Sequence, residues 1–416
     1  MLGGMSALGV AFALVLLAAC SGAGGEGSSP EAVPPADSHP EVGIGEMPSP
    51  APTVTESGEL PPCGKDSAVF SVSPVELSDF MGLVPLGNFA PSGHVFPTDH
   101  IYFHINRIDP SQWELGTVEV LVVSPGDVWV TEIRSTGTEN RTDYSIRFSP
   151  CEEIQAFFIH VSSLFERLEQ SFSPPYDECN EYSTGGDNYQ NCSKTVNVKL
   201  AAGEAVGTAG GDEWQNALDL GIYDLRTDPL PYANPDRWGE QSLYIACPVD
   251  YFTDDVRAAL QAKLGSHDGT TSRAESSVCG EVEQDEPGTA QGVWFVPGTT
   301  FTFPEDPHLT LAHDNVDPST GVFSVGVSMG SSGLSSGLYY FDPASSGLVN
   351  RDFKDVTADG VVYCYETRDR FGSEPLPFII LVQLTSPTTV RSERQDAASC
   401  GSGSWQFTSA YTDFER

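Results

Sequence analysis

Three histidines lie close together at the start of a predicted strand: His94, His100 and His104. They are three of the eight histidines in the chain and fall within eleven residues. Side chains alternate between the two faces of a strand, so the pattern over residues 100–105 puts His100, Tyr102 and His104 on one polar face. Neutral imidazoles are common zinc ligands, and this density predicts a metal site. Hydrogen-bonded histidines on a half-buried sheet are the alternative.

The histidines must be positioned by the short apolar runs around them, which are separated by turn residues. These runs extend from residue 62 to residue 228 and predict a mostly antiparallel β domain with one short helix at 163–170. The predicted strands are 101–105, 118–123, 128–133, 144–148, 156–161, 196–200 and 217–223.

The length of the chain leaves room for two domains, and residues 229–416 are predicted to form the second. A proline-rich linker is predicted at 223–239, and an amphipathic helix at 253–264, with Thr253 as the candidate N-cap. The strands predicted in this half are 243–246, 292–296, 308–312, 322–327, 338–341, 360–365, 378–384 and 404–408. Short strands with turns between them favour a mainly antiparallel sandwich or small barrel.

Six segments follow one another in a definite order in the first half. They are His94 to His104, Gly116-Thr117-Val118, the turn at 123–128, Phe158-Ile159-His160-Val161-Ser162-Ser163-Leu164, the glycine-containing stretch 198–210, and Ala217-Leu218-Asp219-Leu220-Gly221. In this order they resemble the motifs of the lysostaphin-type zinc endopeptidases, which cleave peptide cross-bridges of peptidoglycan. The resemblance covers residues 86–226 and implies a duplicated-hybrid-motif β fold.

The resemblance also implies a site. It places metal ligands at His94, His100 and Asp219, and a catalytic histidine at His160. Two imidazoles and a carboxylate suit zinc and leave a position for water. We expect His104, further along the strand, to orient one of the ligands.

Ala217 stands where the resemblance would require the first histidine of the closing motif. Loss of one group that stabilises a transition state typically costs about a hundredfold in rate. We therefore expect a domain that binds cell-wall peptide or an envelope protein without cleaving it. The alternative is an active zinc-dependent hydrolase of peptidoglycan cross-links that uses His94, His100 and Asp219.

The N-terminal sequence predicts export. Residues 1–19 carry no charged side chain, and their apolar run leads into Leu17-Ala18-Ala19-Cys20. This is typical of a lipoprotein signal peptide over residues 1–20, with lipid on Cys20 as the membrane anchor. Residues 21–61, rich in glycine, proline, serine and glutamate, predict a disordered acidic tether. A permanent transmembrane helix is the alternative.

Cysteine content and charge fit an exported protein. Besides Cys20 there are eight cysteines, an even number with no C-x-x-C pair, which predicts up to four disulfides within the two halves, notably Cys179 with Cys192. The net charge of -38, from 20 Lys and Arg against 58 Asp and Glu, excludes nucleic acid as a natural partner and favours cationic ones. The alternative is that the acidic surface only keeps an exported protein soluble.

Overall fold

The computed structural model describes residues 60–65, 68–91, 93–138, 141–184, 187–212, 215–275, 277–300, 302–370, 372 and 374–416. This part of the chain is mostly β, with 41% strand and 11% helix, which confirms the predicted class. The expected signal peptide, Cys20 and nearly all of the tether lie outside the described residues. Within them, no helix has the length and apolar character needed to span a membrane.

The first half supplies two antiparallel sheets. Its strands are β1 (Phe80–Val84), β2 (His100–Ile105), β3 (Val120–Val123), β4 (Val128–Thr138), β5 (Arg141–Cys151), β6 (Ile154–Val161), β7 (Ser163–Leu164), β8 (Glu178–Thr184), β9 (Asp187–Leu200), β10 (Ala205–Ala209) and β11 (Ala217–Asp224). A further strand, β12 (Ile245–Ala246), joins them from the second half. The large sheet has the order β1-β2-β11-β6-β5-β4-β9-β8, with β12 beside β11. The small sheet has the order β3-β10-β7.

The helices are short. They are α1 (Glu166–Ser171) and α2 (Asp254–Gln261), with 3-10 turns at Trp113–Leu115, Pro235–Arg237, Glu240–Tyr244, Pro248–Tyr251, Val327–Ser332 and Phe353–Asp355. Thr253 is the N-cap residue of α2, but its hydroxyl donates to Asp255 Oδ1 at 2.8 Å and makes no capping bond to the backbone. Asp254 and Asp255 lie in the first turn, where the helix dipole favours negative charge.

The second half supplies two further antiparallel sheets of four strands each. The strands are β13 (Gly292–Trp294), β14 (Leu309–His313), β15 (Gly321–Val325), β16 (Gly337–Phe341), β17 (Tyr363–Glu366), β18 (Ile379–Ser386), β19 (Thr389–Gln395) and β20 (Thr412–Glu415). Both sheets contribute to one core, with Leu309 and Phe323 from the first and Ile380 and Phe414 from the second.

One predicted strand of this half is wrong. Residues 404–408 are irregular, and the strand in this region is β20, which pairs with β19. Side-chain hydrogen bonds replace the strand ladder here. Trp405 Nε1 donates to Cys400 O at 2.9 Å, and Thr408 N donates to Glu393 Oε2 at 2.8 Å.

The largest hydrophobic core spans position 228. It contains Ile222 of β11 together with Val249, Phe252 and Leu264, and it extends to Val282. Segments that follow β11 in sequence therefore complete the core beneath the large sheet, while the two-sheet core of the second half begins at residue 290.

The predicted disulfides are confirmed. The pairs are Cys63–Cys151, Cys179–Cys192, Cys247–Cys279 and Cys364–Cys400, all within one half of the chain. Cys179 and Cys192 are opposite residues on the paired strands β8 and β9.

Candidate functional site

His100 and Asp219 lie on neighbouring strands of the large sheet. In the antiparallel register of β2 and β11, Tyr102 is opposite Asp219 and Gly221 is opposite His100, so the two functional side chains are diagonal neighbours. His100 Nε2 is 3.3 Å from Asp219 Oδ2, and the Asp219 side chain is 0% exposed. The antiparallel register therefore brings His100 and Asp219 together.

His160 reaches the same carboxylate from β6, on the other side of β11. Its Nε2 is 3.5 Å from Asp219 Oδ2. Regular alternation would put His160 on the core side with Phe158, but the β5–β6 register shifts here: two steps on β5 match three on β6. His160 also has φ 65°, in the left-handed region that side chains rarely adopt. Such a bulge re-aims a side chain, and here the imidazole points toward Asp219.

The Nδ1 atom of each imidazole is hydrogen-bonded to a carboxylate. His100 Nδ1 is 2.8 Å from Asp99 Oδ1, and His160 Nδ1 is 2.8 Å from Asp143 Oδ2. Tyr223 donates its hydroxyl to Asp99 Oδ2 at 2.6 Å and so fixes that carboxylate. Histidines that bind metals commonly have this carboxylate–imidazole arrangement, which fixes the tautomer and directs Nε2 at the metal.

The spacing at Asp219 is compatible with a bound cation as well as with direct ion pairs. Charge-assisted hydrogen bonds between nitrogen and carboxylate oxygen are about 2.7–2.9 Å long, shorter than both contacts. His100 Nε2 and both carboxylate oxygens of Asp219 are buried without a hydrogen bond. In tetrahedral zinc sites with metal–ligand distances near 2.0–2.1 Å, two donor atoms lie about 3.3–3.5 Å apart. The pairs at 3.3 and 3.5 Å match that separation.

The electrostatics of the site also favour a positive charge. Burial by itself lowers the pKa of His100, but Asp219 and Asp99 outweigh it and raise that pKa to about 10. With Asp99, Asp143 and Asp219 around two imidazoles, a proton on His100 or a bound cation in its place offsets the cost of buried carboxylates. The donor atoms of His100, His160 and Asp219 are not all within 4.8 Å of one another, so the two imidazoles must approach each other to share one metal.

His94 lies at the edge of this group. It closes a tight turn in which its backbone N–H donates to Ala90 O at 2.8 Å, and its ring packs against the His100 ring with centroids 5.5 Å apart. The structure therefore brings His94 to His100, whereas the imidazoles that approach Asp219 are those of His100 and His160. His160, to which the resemblance assigns a catalytic role, is the second imidazole beside Asp219.

His104 and Ala217 have different surroundings. The His104 ring contacts Tyr102 and His267, and Asp99 instead supplies the orienting contact expected of His104. Ala217 is opposite His104 in the strand register and packs with Val84 and Tyr102. This position contributes an apolar contact and no hydrogen-bonding side chain.

A groove of about 450 Å³ runs beside the site. It is lined by Ile108, Thr117, Val118, Glu119, Ser162, Gly210, Gly211 and Asp212. Gln215 connects it to the histidines, because its backbone carbonyl accepts a bond from Thr117 Oγ1 at 2.7 Å and its side chain donates to Asp143 Oδ1 at 3.4 Å. The site residues themselves are nearly closed to solvent, with His100 2% and His160 8% exposed.

A second cluster of donor atoms is not a metal site. Cys63, Cys151 and Glu153 lie within 4.8 Å of one another. Cys63 and Cys151 are joined in a disulfide, so neither sulfur is a thiolate ligand.

No protein-family model, curated protein or solved structure matches this chain. The interpretation of the site therefore depends on its own geometry. Asp99 adjoins His100 in the sequence and could have been recognised as an orienting group, whereas Asp143 is 17 residues from His160 and had no such signal.

Proposed function

We propose that this protein is an exported envelope lipoprotein whose first half holds a zinc ion between His100, His160 and Asp219. The observation that carries the proposal is the convergence of two imidazoles, each held by a carboxylate at Nδ1, on one buried carboxylate. Zinc bound there would neutralise buried charge and stabilise the contacts between β2, β6 and β11. The four disulfides support an oxidising compartment, and Cys20 would carry the anchoring lipid.

The domain binds cell-wall peptide in the groove beside this site. Ile108 and Val118 are 56% and 44% exposed there, and they offer apolar contacts to a ligand. Glu119 and Asp212 in the same groove favour a peptide that carries a free amine. Burial of His100 and Asp219 and the alanine at position 217 favour binding over cleavage.

Sedimentation with insoluble cell-wall polymer tests the binding. We expect the purified protein to co-sediment, and Ile108→Glu to reduce the bound fraction severalfold. Val327→Glu is the matched control, because Val327 is equally exposed, at 53%, but lies in the second half. Binding unaffected by Ile108→Glu, or no binding at all, would exclude the groove as the peptide site.

A zinc-dependent hydrolase is the second candidate. The observation in its favour is the number of ligands, because three protein ligands and an open position are typical of catalytic zinc sites. In that case the metal would polarise a peptide carbonyl, and His94 would be the remaining imidazole beside the ligands. Release of new amino groups from cell-wall polymer by the zinc-loaded protein, lost in Asp219→Ala, would select this candidate over binding alone.

A further inference from the structure

We propose that the outer edge of β8 binds an extended, basic peptide segment as an additional strand of the large sheet. β8 is the last strand in the order of that sheet and has β9 as its neighbour on one side. A strand whose backbone groups are open along one edge pairs readily with a strand of another chain. The proposal uses none of the residues of the zinc site or of the groove.

Neighbouring segments cover other edge strands of the protein. At the opposite end of the large sheet, Leu83 N of β1 donates to Lys263 O at 2.9 Å. In the second half, Glu415 N of β20 donates to Phe295 O at 2.8 Å. Among the described residues, no backbone hydrogen bond of this kind reaches the outer edge of β8. The protein therefore protects these other edges and leaves that of β8 open.

The pairing of β8 with β9 shows which backbone groups of β8 face outward. Cys179 and Cys192 are opposite residues, and their Cα atoms are 4.1 Å apart. Opposite residues that share no ladder hydrogen bonds are about 4.5 Å apart in antiparallel sheets, and hydrogen-bonded ones about 5.5 Å. The N–H and C=O groups of Cys179 therefore point away from β9. Because these directions alternate along a strand, those of Glu181 and Ser183 also point outward.

This edge is exposed and held in place. Glu178, Cys179, Asn180 and Glu181 are all exposed, whereas Cys192 on β9 is 2% exposed. The disulfide thus joins the exposed edge strand to a buried position of the sheet. A peptide would find an ordered edge and would not have to order it, which lowers the entropic cost of binding.

The charge of the edge favours a basic partner. Glu178 and Glu181 are three residues apart, so their side chains lie on opposite faces of β8. The hydrogen bonds that these carboxylates accept come from neutral amides: Asn180 Nδ2 donates to Glu178 Oε1 at 2.9 Å, and Gln190 Nε2 donates to Glu181 Oε1 at 3.3 Å. Lysines on both faces of an added strand would form cross-strand pairs of opposite charge with the two glutamates.

The same charge disfavours a second copy of this chain on the edge. Two β8 strands paired antiparallel about Glu181 would bring the two Glu181 side chains directly opposite each other, and like charges in that position destabilise a sheet. Each copy also carries a net charge of -38, so two copies repel each other. A basic segment of another protein is therefore the occupant that the edge fits.

Calorimetric titration of the purified full chain tests the edge. The probe is an acetylated peptide amide of sequence Lys-Val-Lys-Lys-Val-Lys, which has lysines on both faces when extended. One control peptide has glutamate in place of lysine, and another is the basic peptide with every backbone amide N-methylated. We expect only the unmodified basic peptide to bind. Its binding should slow amide hydrogen exchange over residues 178–183, because the outward N–H groups become hydrogen-bonded.

Substitutions at Glu181 separate the backbone contribution from the charge. Glu181→Gln removes the charge alone and should weaken binding about two- to fivefold. Glu181→Pro also removes the outward N–H, which the ladder with β9 does not use, and should weaken binding by about a further fivefold. Glu178→Lys with Glu181→Lys should abolish binding. The matched control is Asp236→Lys with Glu240→Lys, which changes the net charge equally at two exposed residues of the second half and should bind like the wild type.

Several results would overturn the proposal. Equal binding of the N-methylated peptide would mean that the acidic surface attracts cations without strand pairing. Absence of binding, equal affinities in Glu181→Pro and Glu181→Gln, or slowed exchange outside residues 178–183 alone would exclude the edge. A dimer in sedimentation that Glu181→Pro dissociates would assign the edge to a second copy. If Glu181→Pro fails to fold, the exchange data on wild-type protein with the two basic peptides decide the outcome.

Discussion

His100 in the first half and His313 in the second are both held by an aspartate, but they differ at the remaining ring nitrogen. His313 Nδ1 is 2.6 Å from Pro318 O, and its Nε2 is 3.1 Å from Asp352 Oδ1, so both nitrogens have hydrogen-bond partners. His100 has Asp99 on Nδ1, while its buried Nε2 has no hydrogen bond and faces Asp219. The comparison shows that the second nitrogen distinguishes a structural histidine from a candidate ligand.

The two histidines also differ in the charged groups that lie beside their aspartates. Lys354 Nζ is 3.1 Å from Asp352 Oδ2, so the His313–Asp352 pair has a neighbouring lysine. The groups that approach Asp219 are the imidazoles of His100 and His160. The raised pKa of His100 makes its imidazolium the positive neighbour of Asp219, and a bound metal ion would replace that proton as the counter-charge.

The largest expected effect is on zinc content, which should depend on His100 and Asp219 but not on His313. Chelator-treated protein reloaded with zinc should hold about one zinc per chain, and the double change His100→Ala with Asp219→Ala should remove it, because too few donors remain. His313→Ala should retain the metal. Elemental analysis of dialysed protein measures both, and stoichiometric zinc in the double variant would show that His100 and Asp219 are ordinary sheet residues.

Zinc should also stabilise the first half. A ligand at a hundred times its dissociation constant stabilises the native state by about 2.7 kcal/mol, so a chelator should lower the melting temperature by a few degrees. Differential scanning calorimetry with and without chelator measures this. The His313→Ala variant should show the same decrease as the wild type, and the double variant should show none. Equal melting curves for wild-type protein in both conditions would contradict a bound metal.

The sequence predicted the parts of this site that depend on local periodicity. Alternation over residues 100–105 predicted which side chains of β2 share a face, and the β2–β11 register brings His100 and Asp219 within 3.3 Å. Regular alternation gives the wrong face for His160, because the bulge in β6 depends on how that strand pairs with β5. Asp143 could not be predicted for the same reason, since its contact with His160 arises only from pairing across the sheet.

In the second half, too, long-range contacts decide what local periodicity cannot predict. Short apolar runs predicted most of its strands, yet residues 404–408 are irregular because Glu393 and Cys400 supply hydrogen-bond acceptors from elsewhere in the chain. The contact between the His104 and His267 rings also depends on long-range packing, because the backbone at Ser266 lies directly against Gly82 of β1. Periodicity gives the face of a side chain, but the partner across that face requires the tertiary structure.

A smaller effect should follow from changes to the carboxylates behind the imidazoles. Asp99→Asn and Asp143→Asn should each weaken zinc affinity about ten- to a hundredfold, because the amide holds the imidazole less firmly and lowers its basicity. Competition with a zinc indicator dye measures the affinity. Asp352→Asn is the matched control behind His313 and should leave zinc affinity unchanged. Equal affinities in all three variants would mean that Asp99 and Asp143 do not orient ligands.

The smallest effect concerns the pH dependence of the His313–Asp352 pair. Burial lowers the pKa of His313, but its bonds to Asp352 and Pro318 outweigh burial and raise it. Burial raises the pKa of Asp352, while His313 and Lys354 lower it to about 2. The contribution of His313 is therefore present below its ordinary pKa of about 6.5 and is lost as the pH rises through its raised value. That of Asp352 is present above about 3.9 and is lost as the pH falls toward 2.

The two contributions overlap between about pH 4 and pH 6.5, so Asp352→Asn should reduce the free energy of unfolding most in that window. We expect a loss of about 1 kcal/mol, because the asparagine amide can keep part of the hydrogen bonding, and a smaller loss at pH 9. Urea unfolding at several pH values measures it, with Asp413→Asn, which removes the partner of Arg391, as the control. The expected difference is independent of zinc, because both nitrogens of His313 already have partners. A loss that appeared only in zinc-loaded protein would mean that His313 is coupled to the metal site and that the contrast with His100 does not hold.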